Sequence, residues 1–249
     1  CGAVLGTVVV WVYARDLPPV EQLTNRDVPE STKIFDRTGT VLLYEISAGQ
    51  KRTLVLLDDM PLALRNATIA VEDEKFYAEP GFNWRAIARA ILVNLHLREG
   101  RLGQGASTIT QQLARNAFLS PERTYTRKIR ELLLAIQITR RYSKEKILEL
   151  YLNEIPYGPT LYGVEAAANA YFKKSVRELS IAESVVLAAL PQAPSYYSPW
   201  GSHTKELLDR QKFILGKMRD IGTITTVEYG EAMETKIVFE PRGQGIKAP

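Results

Sequence analysis

The sequence predicts a mainly α domain with a small β-hairpin region near its N-terminus, and three observations carry that expectation. From Thr126 onward apolar residues recur at helical spacing, as in "RKIRELLLAIQITRRY" and "SKEKILELYLNEI". Strand-like character is confined to one stretch, "STKIFDRTGTVLLYEI", whose two short runs flank an Asp-Arg-Thr-Gly turn. The 249 residues are 45% apolar and 24% charged, with no fixed-period repeat or low-complexity tract, so solenoid and disordered chains are set aside.

Taken in order, the chain opens on "CGAVLGTVVVWVY", an uncharged, almost wholly apolar run over 1–13 closed by Arg15 and Asp16. Spanning a bilayer takes roughly 20 such residues, so the run reads as the remnant of an N-terminal transmembrane anchor. Residues 14–55 form a junction that holds the hairpin. The main domain is expected over 56–235, and 236–249 reads as a glycine-bearing linker toward a further domain.

Within the main domain, Leu64, Ala67, Thr68 and Val71 share a helical face over 61–75, with Pro61 placed at the start. Pro80 and Gly81 break that helix. A second is expected over 83–97, with Ile87, Ile91 and Leu95 on one face, followed by the polar loop "REGRLGQGAS". Ser107 or Thr108 caps a third helix that Pro121 ends, and Ser143 marks the start of a later one. The alanines of "GVEAAANAYF" and "SIAESVVLAALPQAPS" permit close helix packing, and "TKELLDRQKFILGKMRDIG" reads as the last helix, stopped by Gly222.

The single cysteine, Cys1, rules out an intrachain disulfide, and the two histidines, His96 and His203, lie far apart without ligand spacing. Net charge is +4, but nine basic residues against three acidic ones give 98–141 a local charge of +6. Such a zone suits an anionic partner. No aromatic-interleaved RNA motif or zinc finger accompanies the arginines, which argues against nucleic acid.

Three stretches carry chemistry. In "VEDEKFYAEPGF", Glu72 and Asp73 stand among Ile69, Val71 and Phe76. Burial there disfavours the charged carboxylate and raises its pKa, as a general base near neutrality requires; periodicity leaves open which of the two acids is buried. In "GQGASTITQQLARN", Gly103 and Gly105 allow close backbone approach, and Thr108, Gln111, Gln112 and Arg115 fall on one helical face. Amides and hydroxyls suit sugar groups, while Arg115 and the helix N-terminus suit a phosphate. In "RTYTRKIRE", Arg127 and Lys128 stand four and three residues before Glu131, close enough to keep its carboxylate ionised, as ordinary surface pairs also would.

"EDEKFYAEPGF", "GASTITQQLARN", "RKIRE" and "SKEKILELYLNEIPYG" resemble, in order, the motifs of the peptidoglycan glycosyltransferases, the lysozyme-like polymerase domain of class A penicillin-binding proteins. "GVEAAANAYF" and "LSIAESVVLAALPQAPSYYSP" extend the resemblance, which covers roughly residues 30 to 235. The N-terminal apolar run looks like that family's membrane anchor. The "IKAP" tail resembles the lead-in to a transpeptidase domain, and the sequence contains no Lys-Thr-Gly motif.

The resemblance implies a lysozyme-like fold and an inverting transferase on the outer face of the bacterial cytoplasmic membrane. Its substrate is lipid II, an undecaprenyl-pyrophosphate-linked disaccharide-pentapeptide, added to a nascent β-1,4 glycan strand. Glu72 matches the general base that takes the acceptor 4-hydroxyl proton. Glu131 matches the second acid, placed by the donor pyrophosphate directly or through a divalent cation (Mg or Mn), with no tightly bound cofactor. Arg89, Arg115, Arg123 and Arg130 match cations facing phosphate, and Ser107, Gln111 and Gln112 match a polar substrate-binding face. Asp73, Phe76, Thr108, Asn116, Arg127 and Lys128 are expected on the same surface. Other cell-wall synthesis proteins are the implied partners.

Two positions depart from the family pattern: Glu79 stands where a His is usual and Asn83 where an Asp is usual. Arg115 replaces a common Lys, keeping the charge and changing its geometry. A lysozyme-like hydrolase or lytic transglycosylase is the competing enzyme, but it has no need of a pyrophosphate-binding arginine cluster. A non-catalytic lipid II-binding scaffold is the other rival, against which both acids argue.

Overall fold

A computed structural model of the chain describes residues 15, 17–25, 32–35, 37–38, 42–46, 53–81, 107–122 and 124–242. The expected apolar anchor, the helix over 83–97 with Arg89, Asn83, the loop glycines, Arg123 and the end of the expected linker lie outside them. Among the described residues helix dominates. The two strands, Thr32–Phe35 (β1) and Leu42–Ile46 (β2), pair antiparallel, with an irregularity between Ile34 and Phe35. No described helix is long and apolar enough to cross a membrane.

The chain divides into two compact units, one of 1–26 and 72–151, the other of 27–71 and 152–249. In the first, a helical turn at Gln22–Asn25 precedes the segment that starts at Glu72. That glutamate closes helix α1, Leu62–Glu72, which does not run on to residue 75 as the spacing predicts. Residues 73–79 fold instead into successive turns, with Phe76 N–H donating to the Asp73 carbonyl and Ala78 and Glu79 N–H to that of Lys75. Asp73 is a poor helix continuer because its short carboxylate takes the backbone N–H of Ile109 instead.

Helix α2, Ile109–Phe118, begins at Thr108, not Ser107. The Thr108 hydroxyl accepts from Gln111 N–H and the Gln111 side chain accepts from Thr108 N–H, a reciprocal capping box. Its partner in the core is α3, Tyr125–Arg141, capped by the Thr124 side chain. Leu113, Ala114 and Ala117 of α2 are buried, as are Leu134, Ala135 and Ile138 of α3. Gly81 sits against this pair so closely that an added Cβ would lie 2.2 Å from Thr139 Oγ1 and 2.9 Å from Thr110 Oγ1. Ser143 then starts α4, Lys144–Glu154, accepting from Lys146 N–H.

The second unit stacks short apolar helices: α5, Val164–Phe172; α6, Ile181–Ala189; α7, Thr204–Asp220; and α8, Thr226–Glu234. Ala167, Ala168, Ala182, Ala188 and Ala189 are almost fully buried, and helix α7 packs on α6 and α8. Gly163 has φ +79°, and a Cβ there would stand 2.8 Å from the Asn153 carbonyl oxygen, so only glycine fits. Helix α8 was not expected from sequence, although Thr225 and Glu228 form a full capping box at its start. Residues 239–240 of the expected linker are tied down. Glu240 N–H donates to the Tyr171 carbonyl, Trp200 Nε1 donates to the Glu240 carbonyl, and Phe239 stacks on Phe172.

Candidate active site

The expected site residues that can be described lie in the first unit, at and just after the end of α1, along α2 and in the first turns of α3. Glu72 is half-buried, and its Oε2 accepts from Gln112 Nε2 at 2.8 Å. The same amide nitrogen donates to the Ser107 carbonyl at 3.3 Å, and Gln112 Oε1 accepts from the Tyr151 hydroxyl at 3.1 Å. Both ends of the Gln112 amide are thus engaged by the protein. Among the described residues Glu72 Oε1 has no hydrogen-bond partner, which leaves one carboxylate oxygen for a ligand.

Beside it, Asp73 Oδ2 accepts from Ile109 N–H at 3.2 Å, adding a carboxylate to the N-terminus of α2. Burial pushes the Asp73 carboxyl above its ordinary value. The Ile109 bond and the Lys144 ammonium oppose that push, and Glu79 and Glu72 add to it. Periodicity left open which acid is buried, and in the fold desolvation raises Asp73. A third tie runs from Thr108 Oγ1 to the Gly81 carbonyl at 2.6 Å. Three bonds, from Gln112, Ile109 and Thr108, therefore hold the end of α1 and the segment that follows it.

Across α2, Lys128 Nζ donates to Ser107 Oγ at 2.8 Å and to Glu131 Oε1, and Glu131 is only 1% exposed. Ser107 thereby connects the two acids: Glu72, Gln112, Ser107, Lys128 and Glu131 form one continuous hydrogen-bonded run. In addition, Arg127 Nε and Arg130 Nε are buried without an acceptor among the described residues. A buried guanidinium N–H left unpaired is costly, and an anionic ligand would satisfy it.

Not every expected substrate contact is open to a ligand. Thr108, Gln111 and Phe76 are buried, at 6%, 2% and 1% exposure, and serve the protein's own structure. Arg115 is half-buried in the last turn of α2, where a cation favours the helix C-terminus, and Asn116 is exposed. Two participants were missed from sequence. One is Tyr151, read there only as part of an apolar stripe. The other is Lys144, whose ammonium lies 4.6 Å over the Phe76 ring and donates to the Glu79 carbonyl at 2.6 Å. Burial lowers the Lys144 pKa, with Asp73 opposing.

The buried Glu131 carboxylate has the Lys128 ammonium as its partner, and among the described residues no group of three or more His, Cys, Asp or Glu side chains could by itself hold a metal ion.

Comparison with known proteins places these residues in a family context. The family model described as "Transglycosylase" matches residues 39–219. Penicillin-binding protein 1A of Aquifex aeolicus is 46% identical over 226 residues, 91% of this chain and 30% of that protein. The proteins of the same name from Rickettsia felis and Neisseria gonorrhoeae are each 40% identical over 95% and 96% of the chain, covering 30% and 29% of their own lengths. The chain thus spans about 30% of the length of these curated relatives. The crystal structure of penicillin-binding protein 1A from Haemophilus influenzae matches 88% of this chain and 22% of its own, with 25% sequence identity and a TM-score of 0.49.

Proposed function

Because the chain belongs to the transglycosylase family, we propose that it polymerises lipid II into the β-1,4 glycan strands of peptidoglycan, inverting the anomeric centre and releasing undecaprenyl pyrophosphate. The observation that carries this reading is the half-free Glu72 carboxylate, joined through Gln112, Ser107 and Lys128 to Glu131 on α3, the helix that also carries Arg127 and Arg130, whose Nε groups have no acceptor among the described residues. Glu72 Oε1 takes the proton of the acceptor 4-hydroxyl. The acceptor oxygen forms its bond to the donor anomeric carbon as the bond to the pyrophosphate oxygen breaks, and the negative charge leaves on the lipid pyrophosphate. Arg127 and Arg130 meet that charge, with Lys128 held beside them by Glu131. The buried Glu131 serves here to hold the Lys128 ammonium in place.

The reaction is assigned to the outer face of the bacterial cytoplasmic membrane, in company with other cell-wall synthesis proteins, because the donor is lipid-linked. Incubation with labelled lipid II tests the reading. The expected product is a long glycan polymer, whereas shortening of added glycan strands would indicate a hydrolase, and unchanged but retained lipid II a scaffold.

A further inference from the structure

We infer that Tyr151 is a positioning residue for the transfer, acting on Glu72 through the amide of Gln112; this rests on the reading of Glu72 as the base. Tyr151 is fully buried on α4, an element that carries none of the expected site residues. Its hydroxyl donates to Gln112 Oε1, and the other end of that amide faces two acceptors, Glu72 Oε2 and the Ser107 carbonyl.

An amide can turn about its last torsion, exchanging oxygen for nitrogen at almost no steric cost. Turned over here, Gln112 would set its oxygen against a carboxylate and a carbonyl. The two acceptors favour the observed orientation from one side, and the phenolic donor locks it from the other. Without that hydroxyl, Gln112 Oε1 is a buried acceptor without this donor, and the side chain gains by rotating toward another one. Its grip on Glu72 loosens, and the carboxylate loses the placement that leaves Oε1 directed at the acceptor sugar. Small misplacements of a base are expensive because proton transfer requires hydrogen-bond reach.

Tyr151→Phe keeps the buried ring and removes only the hydroxyl. It should lower kcat on lipid II about tenfold or more, with KM within about twofold and the melting temperature close to that of the unaltered chain. A purely structural phenol would lower stability and leave kcat per folded molecule alone. The decisive measurement is a double-mutant cycle: Tyr151→Phe added to Gln112→Met, which matches glutamine in length and has no amide, should cost nothing more in kcat.

Losses that multiply, or a Tyr151→Phe enzyme with unaltered kcat, would overturn the inference. Should Tyr151→Phe not fold, Gln112→Met alone still decides, because unaltered kcat there removes the link through which Tyr151 acts. Glu72→Gln, assayed in parallel, separates the two ideas. An active Glu72→Gln enzyme sinks the base assignment, whereas an inactive one beside a fully active Tyr151→Phe sinks only the role of Tyr151.

Discussion

The two units bury polar side chains in different ways. In the unit of 27–71 and 152–249, buried polarity serves the backbone. Thr68 Oγ1 donates to the Leu64 carbonyl, Asn153 bonds both the N–H and the carbonyl of Val55, Gln211 Nε2 donates to the Ala182 carbonyl, and the Tyr171 hydroxyl donates to that of Tyr157. In the unit of 1–26 and 72–151, bonds to backbone are joined by a set in which side chains hold one another: Tyr151 holds Gln112, Gln112 holds Glu72, and Lys128 holds Ser107 and Glu131. A side chain bonded to backbone satisfies a group that the fold already fixes. A side chain bonded to side chains fixes groups that could otherwise move, and such networks are cooperative. Structure needs the first kind, and chemistry the second.

The largest effect expected from this difference is at Glu72. Glu72→Gln should lower polymerisation of lipid II by about 10²–10⁴-fold while leaving lipid II binding and the melting temperature close to normal. A variant that keeps more than roughly a tenth of the rate would transfer the base role to another group.

Next come the two arginines whose Nε groups have no partner among the described residues. Arg130→Ala or Arg127→Ala should weaken binding of lipid II about ten- to a hundredfold, the cost of a charge-assisted contact, and barely alter binding of a phosphate-free glycan chain. Equal losses for both ligands in a binding titration would make these arginines structural.

In the other unit, the same kind of change should touch stability alone. Asn153→Ala removes two backbone bonds and should destabilise by about 1–3 kcal/mol, read as a lower denaturant midpoint, with kcat per folded molecule unchanged. A loss of kcat without loss of stability would erase the contrast between the units.

The smallest effect concerns Asp73 and pH. Its folded pKa is raised from its ordinary value of 3.8, chiefly by burial. The stability it contributes is therefore complete below that ordinary value and is lost as pH rises through the folded one. Asp73→Asn keeps an oxygen for Ile109 N–H and removes the ionisation. The variant's melting temperature should gain on the unaltered chain between acid and neutral pH, and a constant gap would contradict the burial.

How much of this was legible beforehand depends on the distance between the residues concerned. Periodicity and punctuation identify helices one at a time, because a helix face, a cap and a breaker are settled within a few residues. So α3 and α4 could be read from their apolar stripes, and Thr108 or Ser143 from their place before one. Helix α8 had its signal too, in Thr225 and Glu228, but its apolar face is weak and the cap alone was not enough. The ordered motifs around Glu72, Gln112 and Glu131 were likewise present as sequence, and with them the family.

Only the tertiary structure decided which side chains meet. Tyr151 and Glu72 reach Gln112 from 39 and 40 positions away, and nothing in the spacing of either segment says that they converge. It also decided that desolvation falls on Asp73, because α1 stops at Glu72 and leaves its neighbour to cap α2. Local sequence dictates backbone conformation through short-range sterics and hydrogen bonds. The solvent, charge and partners of a side chain come from whichever segments the folded chain brings back to it.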